Sequence, residues 1–126
     1  MMKTEIYTEK SPAPVGPYSQ AIKHGDTLYV SGQLPIDPET GKICEGSIQE
    51  CARQSLENLK AVVEAAGATM DQIVKTTVLM ANLEDFADAN TVYAEYFNKP
   101  YPSRSAYQVA KLPLNVRIEI EAVVAL

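Results

Sequence analysis

The sequence of 126 residues has little of what several classes of protein require. It has no tryptophan, one histidine and two cysteines, and 16 aspartates and glutamates outnumber 11 lysines and arginines. A structural zinc site takes about four Cys or His ligands at close spacing, so no metal site is predicted. The net charge of −5, with basic residues scattered singly, disfavours a nucleic-acid surface. Nucleic acid is therefore an unexpected partner.

Long hydrophobic runs are also absent. No stretch approaches the roughly 20 apolar residues of a membrane-spanning helix, so no membrane partner is expected. The opening residues, MMKTEIYTEK, contain no apolar core of a signal peptide, and their two glutamates argue against a transit peptide. We expect a cytoplasmic protein in which Cys44 and Cys51, which form no CxxC pair, are free thiols. The length predicts one domain, residues 1–126.

Hydrophobic periodicity predicts an α+β fold with the order β-β-β-α-β-α-β-β. Ser47 and Glu50 form the pattern of a capping box at the start of one amphipathic helix, and Asn82 can cap the other. Two such helices cover one face of a single sheet, and the other face must meet water or other subunits. The predicted helices span 47–67 and 82–98. The predicted strands lie at 3–7, 18–25, 26–32 and 72–81, between Pro102 and Pro113, and within 115–126.

Arg104 and Glu119 are the candidates for chemistry. Arg104 follows Pro102 where a strand emerges from a loop, a position where side chains often meet ligands. Its ordinary interpretation is a solvated arginine, and that of Glu119 is a polar residue on a half-solvated strand. If the last two strands are neighbours, both side chains could project from the open sheet face. Ser-His-Asp and Cys-His arrangements, the P-loop and the dinucleotide fingerprint are all missing, so an enzyme must use these groups, hydroxyls and backbone.

Four stretches of the sequence closely resemble one known family. They are PVGPYSQA (14–21), YVSGQLP (29–35), EAAGATMDQIVKTTV (64–78), and PSRSAYQVAKLP with RIEIEAV (102–123). The chain is similar, from about Tyr7 to its C-terminus, to the Rid family of reactive imine and enamine deaminases, also called YjgF or L-PSP. The resemblance implies a chorismate-mutase-like fold and a homotrimer whose open sheet faces form a central barrel. It further implies sites in clefts between subunits.

The same resemblance implies an activity and its residues. Members hydrolyse 2-imino or 2-enamino acids, such as 2-iminobutanoate and 2-iminopropanoate, to 2-oxo acids and ammonia without a cofactor. Arg104 matches the carboxylate-binding arginine and Glu119 the carboxylate that positions the hydrolytic water. Ala106 stands where many bacterial members carry cysteine, which implies that its backbone groups, rather than a thiol, touch the ligand. Four further positions match residues that line the same cleft: Tyr18, Ser31, Gly32 and Asn90.

Two other functions stay open at this point. One is a regulatory module that binds a small carboxylate without turning it over, because Arg104 suits binding as well as catalysis. The other is the endoribonuclease or translation-inhibitor activity that the L-PSP label reflects. The acidic balance of the chain makes the second the weaker of the two.

Overall fold

The computed structural model describes residues 2–126, and within them the chain forms six strands and two α-helices. The predicted α+β class and the order β-β-β-α-β-α-β-β are confirmed. No helix in this part of the chain is long and apolar enough to cross a membrane. The elements are β1 (Thr4–Ile6), β2 (Ala21–His24), β3 (Thr27–Gln33), α1 (Ile48–Ala65), β4 (Ile73–Met80), α2 (Phe86–Tyr93), β5 (Ser103–Gln108) and β6 (Ile118–Ala125).

The six strands form one sheet in the order β1-β2-β3-β6-β4-β5. The last strand, β6, lies between β3 and β4 and is antiparallel to both. Strands β4 and β5 are parallel, and α2 supplies the crossover that a parallel pair needs. The C-terminal strand therefore lies inside the sheet, and β5 lies at an edge.

Alternation along β6 separates the two faces of the sheet. Ile118, Ile120, Ala122 and Val124 are buried against the helices, while the residues between them are only partly covered or exposed. The face of α1 that packs on them is fully buried, as its helical periodicity predicts. Both helices thus lie on one face of the sheet and leave the other open. The buried α1 side chains include Leu56, Leu59, Val62 and Val63.

The two helices differ in how well the sequence predicts their bounds. Helix α1 begins where expected, because the Ser47 side chain accepts a hydrogen bond from the Glu50 N–H at 3.1 Å. The second helix is much shorter than the predicted 82–98. Only Phe86–Tyr93 is α-helical, between 3₁₀ turns at Leu83–Asp85 and Ala94–Tyr96. Such turns are common at helix ends and share the same spacing of apolar residues, so periodicity does not separate them from the helix.

The prediction of free thiols is wrong. Cys44 and Cys51 form a disulfide, with their Cα atoms 5.4 Å apart. Residues Ile36 and Ile43 pair across the preceding loop, and the Cys44 N–H donates to the Pro35 carbonyl at 2.8 Å, which brings the loop back beside the first turn of α1. The sequence placed Cys51 on the buried helix face, but it did not reveal the fold of this loop.

Candidate active site

Arg104 and Glu119 lie on opposite faces of the sheet, so the expectation that they share the open face is wrong. Strand β4 separates their strands. Arg104 is in register with Thr76, which pairs with the buried Ala122, and these three residues point towards the helices. Glu119 has the opposite parity on β6 and points to the open face. Strand spacing and rise put their Cα atoms about 14 Å apart.

Three side chains of helix α2 contact the guanidinium of Arg104. Its Nη1 donates to Oδ1 of Asn90 at 2.7 Å. The central carbon of the guanidinium lies 4.7 Å from the ring centre of Tyr93 and 5.0 Å from that of Phe86, within cation–π range. Burial raises the pKa of Tyr93, so its hydroxyl stays protonated at neutral pH. The arginine is therefore fixed on one side and open to solvent on the other.

We call the space beside this guanidinium the arginine cleft. It has a volume of about 390 Å³, large enough for a small carboxylic acid. Pro102 and Tyr101 form its outer wall, just before β5 begins. Ala106, the second residue after Arg104 on the same sheet face, is partly buried and packs against the core. The cleft is lined by Asn90, Tyr93, Ala94, Tyr101, Pro102 and Arg104.

Glu119 lies beside a β-bulge in β3. The pairing of β3 with β6 passes from Val30–Ala122 to Gln33–Ile120, so β3 has one extra residue there. A Cβ built on Gly32, within this bulge, would lie 2.6 Å from Cδ of Glu119. Only glycine leaves room for the carboxylate in that position. The bulge thus provides the space that the Glu119 side chain occupies.

We call the space around this carboxylate the glutamate cleft, which has a volume of about 700 Å³. Tyr18 and Val15 lie on the Pro-rich loop at its rim, and both are exposed. Leu114, also exposed, faces it from a tight turn in which Leu114 and Asn115 both have positive φ, 58° and 57°. Two consecutive non-glycine residues in this conformation are uncommon and often mark a functional surface.

The carboxyl group of Glu119 has a raised pKa. The larger cause is burial, which removes water from the charged form, and the smaller is the charge of Glu121 two residues along the same face. No hydrogen bond from residues 2–126 contributes to this shift of the pKa. A half-buried carboxylate without a stabilising partner has a greater tendency to accept a proton than an ordinary glutamate.

A buried polar network holds the rim loop of the glutamate cleft in place. The side chain of Gln20 is only 2% exposed and bonds the backbone of Thr8, Ser11 and Pro12. The hydroxyl of Ser31 donates to the Ser19 carbonyl at 2.6 Å. Its proton is therefore used to fix the loop, and towards a ligand this hydroxyl can only accept.

The site residues expected from the sequence thus fall into two groups. Tyr18, Ser31 and Gly32 lie with Glu119, whereas Asn90 and Ala106 lie with Arg104.

Sequence reasoning missed three supporting side chains. Phe86 and Tyr93 fit the apolar stripe that helical spacing predicts for the second helix, but their spacing with Asn90, i, i+4 and i+7, also places all three on one helix face. Gln20 offered no signal, because glutamine is usually exposed and its burial here depends on loop folding.

The two clefts hold complementary chemistry. The guanidinium can bind a planar carboxylate with parallel hydrogen bonds, and Glu119 can accept a proton. Among residues 2–126, no cluster of three or more His, Cys, Asp or Glu side chains is arranged to bind a metal. Fold and clefts together describe a small α+β protein with one cleft beside an arginine held by aromatic rings and another around a half-buried carboxyl group of raised pKa.

Comparison with known proteins identifies the family. The sequence model of the Endoribonuclease L-PSP family matches residues 8–126, and the chain belongs to this family. The resemblance to the Rid, YjgF or L-PSP family expected from the sequence motifs is therefore confirmed.

Three similar proteins illustrate the relationship. A RutC family protein of Pyrococcus horikoshii is 52% identical over 97% of both chains. The 2-iminobutanoate/2-iminopropanoate deaminase of Homo sapiens is 46% identical over 98% of this chain and 90% of its own. The solved structure of Escherichia coli TdcF with bound serine is 42% identical, covers 98% of both chains and superposes with a TM-score of 0.93.

Proposed function

We propose that the protein is a hydrolytic deaminase that converts 2-imino and 2-enamino acids, such as 2-iminobutanoate and 2-iminopropanoate, to 2-oxo acids and ammonia without a cofactor. The observation that carries this proposal is the Glu119 carboxylate, half-buried, raised in pKa and facing a cleft of small-molecule size. The deaminase names of relatives at 46% identity support the choice of substrate.

Arg104 binds the substrate carboxylate in this proposal. Asn90 accepts from Nη1, which leaves the other N–H groups of the guanidinium to form two parallel bonds to a carboxylate. Fixing the carboxylate also fixes the adjacent C=N carbon, because the 2-imino acid is planar. Positioning of this kind can account for a large part of a rate enhancement.

Glu119 acts on water. It accepts one proton as the water oxygen bonds to the C=N carbon of the protonated imine, and the C=N π electrons move to nitrogen. The tetrahedral intermediate then carries a hydroxyl and an amino group. Glu119 returns its proton to the amino nitrogen, ammonia leaves with the C–N bonding electrons, and the hydroxyl passes its proton to the Glu119 carboxylate as the carbonyl forms. Transfer of that proton to the departing ammonia gives ammonium and restores the carboxylate. The raised pKa of Glu119 suits both directions of transfer, because it lies closer to neutral pH.

A complete site needs two copies of the chain. One substrate of about 5 Å cannot reach both groups when they lie on opposite faces of one sheet. We propose a homotrimer in which the arginine cleft of one copy meets the glutamate cleft of the next. The open sheet face, which carries Tyr29, Tyr107 and Val123 beside charged residues, would then line a central barrel. Closure of a symmetric ring accounts for a face that no helix covers.

The test is an assay of the purified protein in which a threonine dehydratase supplies the imine. We expect faster 2-oxobutanoate formation with wild type than without protein, and little with Arg104→Ala or Glu119→Gln alone. Denaturing and refolding these two inactive variants together should restore about a quarter of wild-type activity, because a site drawing on two randomly mixed copies is intact in that fraction. Refolding each variant alone is the control. Trimers without restored activity would refute the shared site.

A carboxylate-binding module without catalysis is the second candidate, and the bound serine in the TdcF structure favours it. In that case the protein binds 2-oxobutanoate or serine but does not accelerate imine hydrolysis. The dehydratase-coupled assay separates the two functions. Cytoplasmic location and lack of a nucleic-acid partner stay predictions.

A further inference from the structure

Two buried contacts fix the ring that supports Arg104. The Tyr93 hydroxyl bonds to Oγ1 of Thr76 at 2.7 Å, and both residues are buried, with 9% and 0% of their surface exposed. The Tyr93 ring also packs against the ring of Phe97, with ring centres 4.4 Å apart. A ring held at its face and at its hydroxyl has little freedom to rotate.

The residue that fixes this ring is the sheet neighbour of the arginine itself. Thr76 on β4 is in register with Arg104 on β5. Thr76 therefore determines where Tyr93 lies, and Tyr93 lies where the neighbouring arginine side chain must pass. Phe86 contacts the same guanidinium from about two helical turns earlier on α2.

We propose that Tyr93 and Phe86, with Thr76 fixing Tyr93, are positioning residues that hold the Arg104 guanidinium in its carboxylate-binding orientation before substrate arrives. This inference rests on the proposed function, because it gives that orientation its purpose. A free arginine side chain loses much rotamer freedom when it binds a ligand, and an arginine already held in place loses less. The rings therefore contribute to affinity by holding the arginine.

The variants distinguish the effect of losing an aromatic ring from the effect of losing the hydroxyl bond between Tyr93 and Thr76. Tyr93→Leu and Phe86→Leu keep an apolar side chain but remove a ring face beside the guanidinium. Tyr93→Phe keeps the ring, and Thr76→Val removes its anchor. Tyr96→Leu is the matched control, since it removes a partly buried ring that packs against the core but is not in cation–π contact with Arg104.

Two measurements test the proposal. The first is the affinity for 2-oxobutanoate by calorimetry, together with KM and kcat for the imine. The second is the ¹⁵N relaxation of the Arg104 Nε–H in the ligand-free protein, which reports side-chain order without any ligand. Both are made beside thermal unfolding curves, so that loss of fold is recognised.

We expect Tyr93→Leu and Phe86→Leu to weaken 2-oxobutanoate binding and raise KM by about 3- to 10-fold, with kcat nearly unchanged and a mobile Arg104 Nε–H. Tyr93→Phe should lose less. Thr76→Val leaves a buried hydroxyl unpaired and should be partly rescued in the double variant with Tyr93→Phe. Tyr96→Leu should lose stability but keep affinity and arginine order.

The outcomes distinguish this inference from the proposed function. If wild type binds 2-oxobutanoate and folded Phe86→Leu and Tyr93→Leu bind it equally well with a rigid Arg104, the positioning role is refuted and the deaminase proposal stands. Should Tyr93→Leu not fold, Phe86→Leu alone decides the same question. If wild type binds no 2-oxo acid, both proposals fail.

Discussion

The charged groups of the arginine cleft and the glutamate cleft have opposite environments. Arg104 is exposed but held by Asn90 and two aromatic rings, and it lies on an edge strand. Glu119 is half-buried on an inner strand, next to a like charge and a glycine that leaves it room. The guanidinium is held in place and stays solvated. The carboxylate is partly desolvated, and no hydrogen bond from the described residues compensates for it.

In the proposed function, this difference separates substrate binding by Arg104 from proton transfer by Glu119. An ordered, solvated cation costs little to the fold and has its donors ready for an anion. A desolvated carboxylate is unfavourable for the fold, and that unfavourable state gives it its affinity for a proton. The variants below are chosen to remove one property at a time.

The largest effect is expected for Glu119→Gln. The amide can still hold a water but cannot accept its proton, so kcat should fall about 10²-fold or more. Affinity for 2-oxobutanoate should stay close to wild type, because Arg104 is untouched. Steady-state kinetics with calorimetry checks both. Wild-type turnover would reduce Glu119 to a scaffold residue, and joint loss of binding and activity would make it part of the binding framework.

Arg104→Lys should have the next largest effect. A point charge replaces a two-pronged donor, so kcat/KM should fall about 10- to 100-fold, the range for losing one hydrogen bond to a charged group. The weakened step should be binding, seen as lower affinity for 2-oxobutanoate at an unchanged circular dichroism spectrum. Near-wild-type kcat/KM would show that the substrate is not bound through parallel hydrogen bonds.

A smaller effect is expected on the pH profile of Glu121→Gln. The acid limb of kcat/KM for wild type should lie above the usual range of a glutamate, because the pKa of Glu119 is raised. Removing the Glu121 charge lowers that pKa, so the limb should move to lower pH. The limb should still lie above the usual range of a glutamate, since burial, the larger cause of the raised pKa, is unchanged. An unmoved limb would mean that another group sets the profile.

The same raised pKa makes a prediction about stability. A folded state that favours the protonated carboxyl gains stability below the unfolded pKa and loses it as pH rises through the folded one. Wild type should therefore lose stability relative to Glu119→Gln as pH rises over this window. Urea unfolding at several pH values measures it, and parallel curves would contradict the assigned pKa direction.

The smallest effect on activity is expected for Cys44→Ser. The disulfide lies apart from both clefts, so kcat/KM should not change. Opening a loop of seven residues should lower the free energy of unfolding by about 2 kcal/mol, measured by urea denaturation. Wild type in reductant is the control and should behave like the variant. Loss of activity at unchanged assembly would implicate the sulfur atoms in the site.

The sequence alone determined the features that depend on neighbours along the chain. Period-two alternation in β6 and helical spacing in α1 predicted which faces are buried, and Ser47 predicted where α1 begins. Four motifs together, at 14–21, 29–35, 64–78 and 102–123, were sufficient to predict the family.

Only the tertiary structure decided which residues of different strands, helices and loops are neighbours. Strand β4 lies between β5 and β6 and so separates Arg104 from Glu119, and its register with both strands puts the two side chains on opposite faces. The bulge at Gly32 and the bond from Thr76 to Tyr93 likewise join residues distant in sequence. Cys44 and Cys51 are only seven residues apart, but their pairing depends on how the preceding loop folds. Local patterns report which face of an element is apolar, whereas strand order and register follow from the packing of the whole chain.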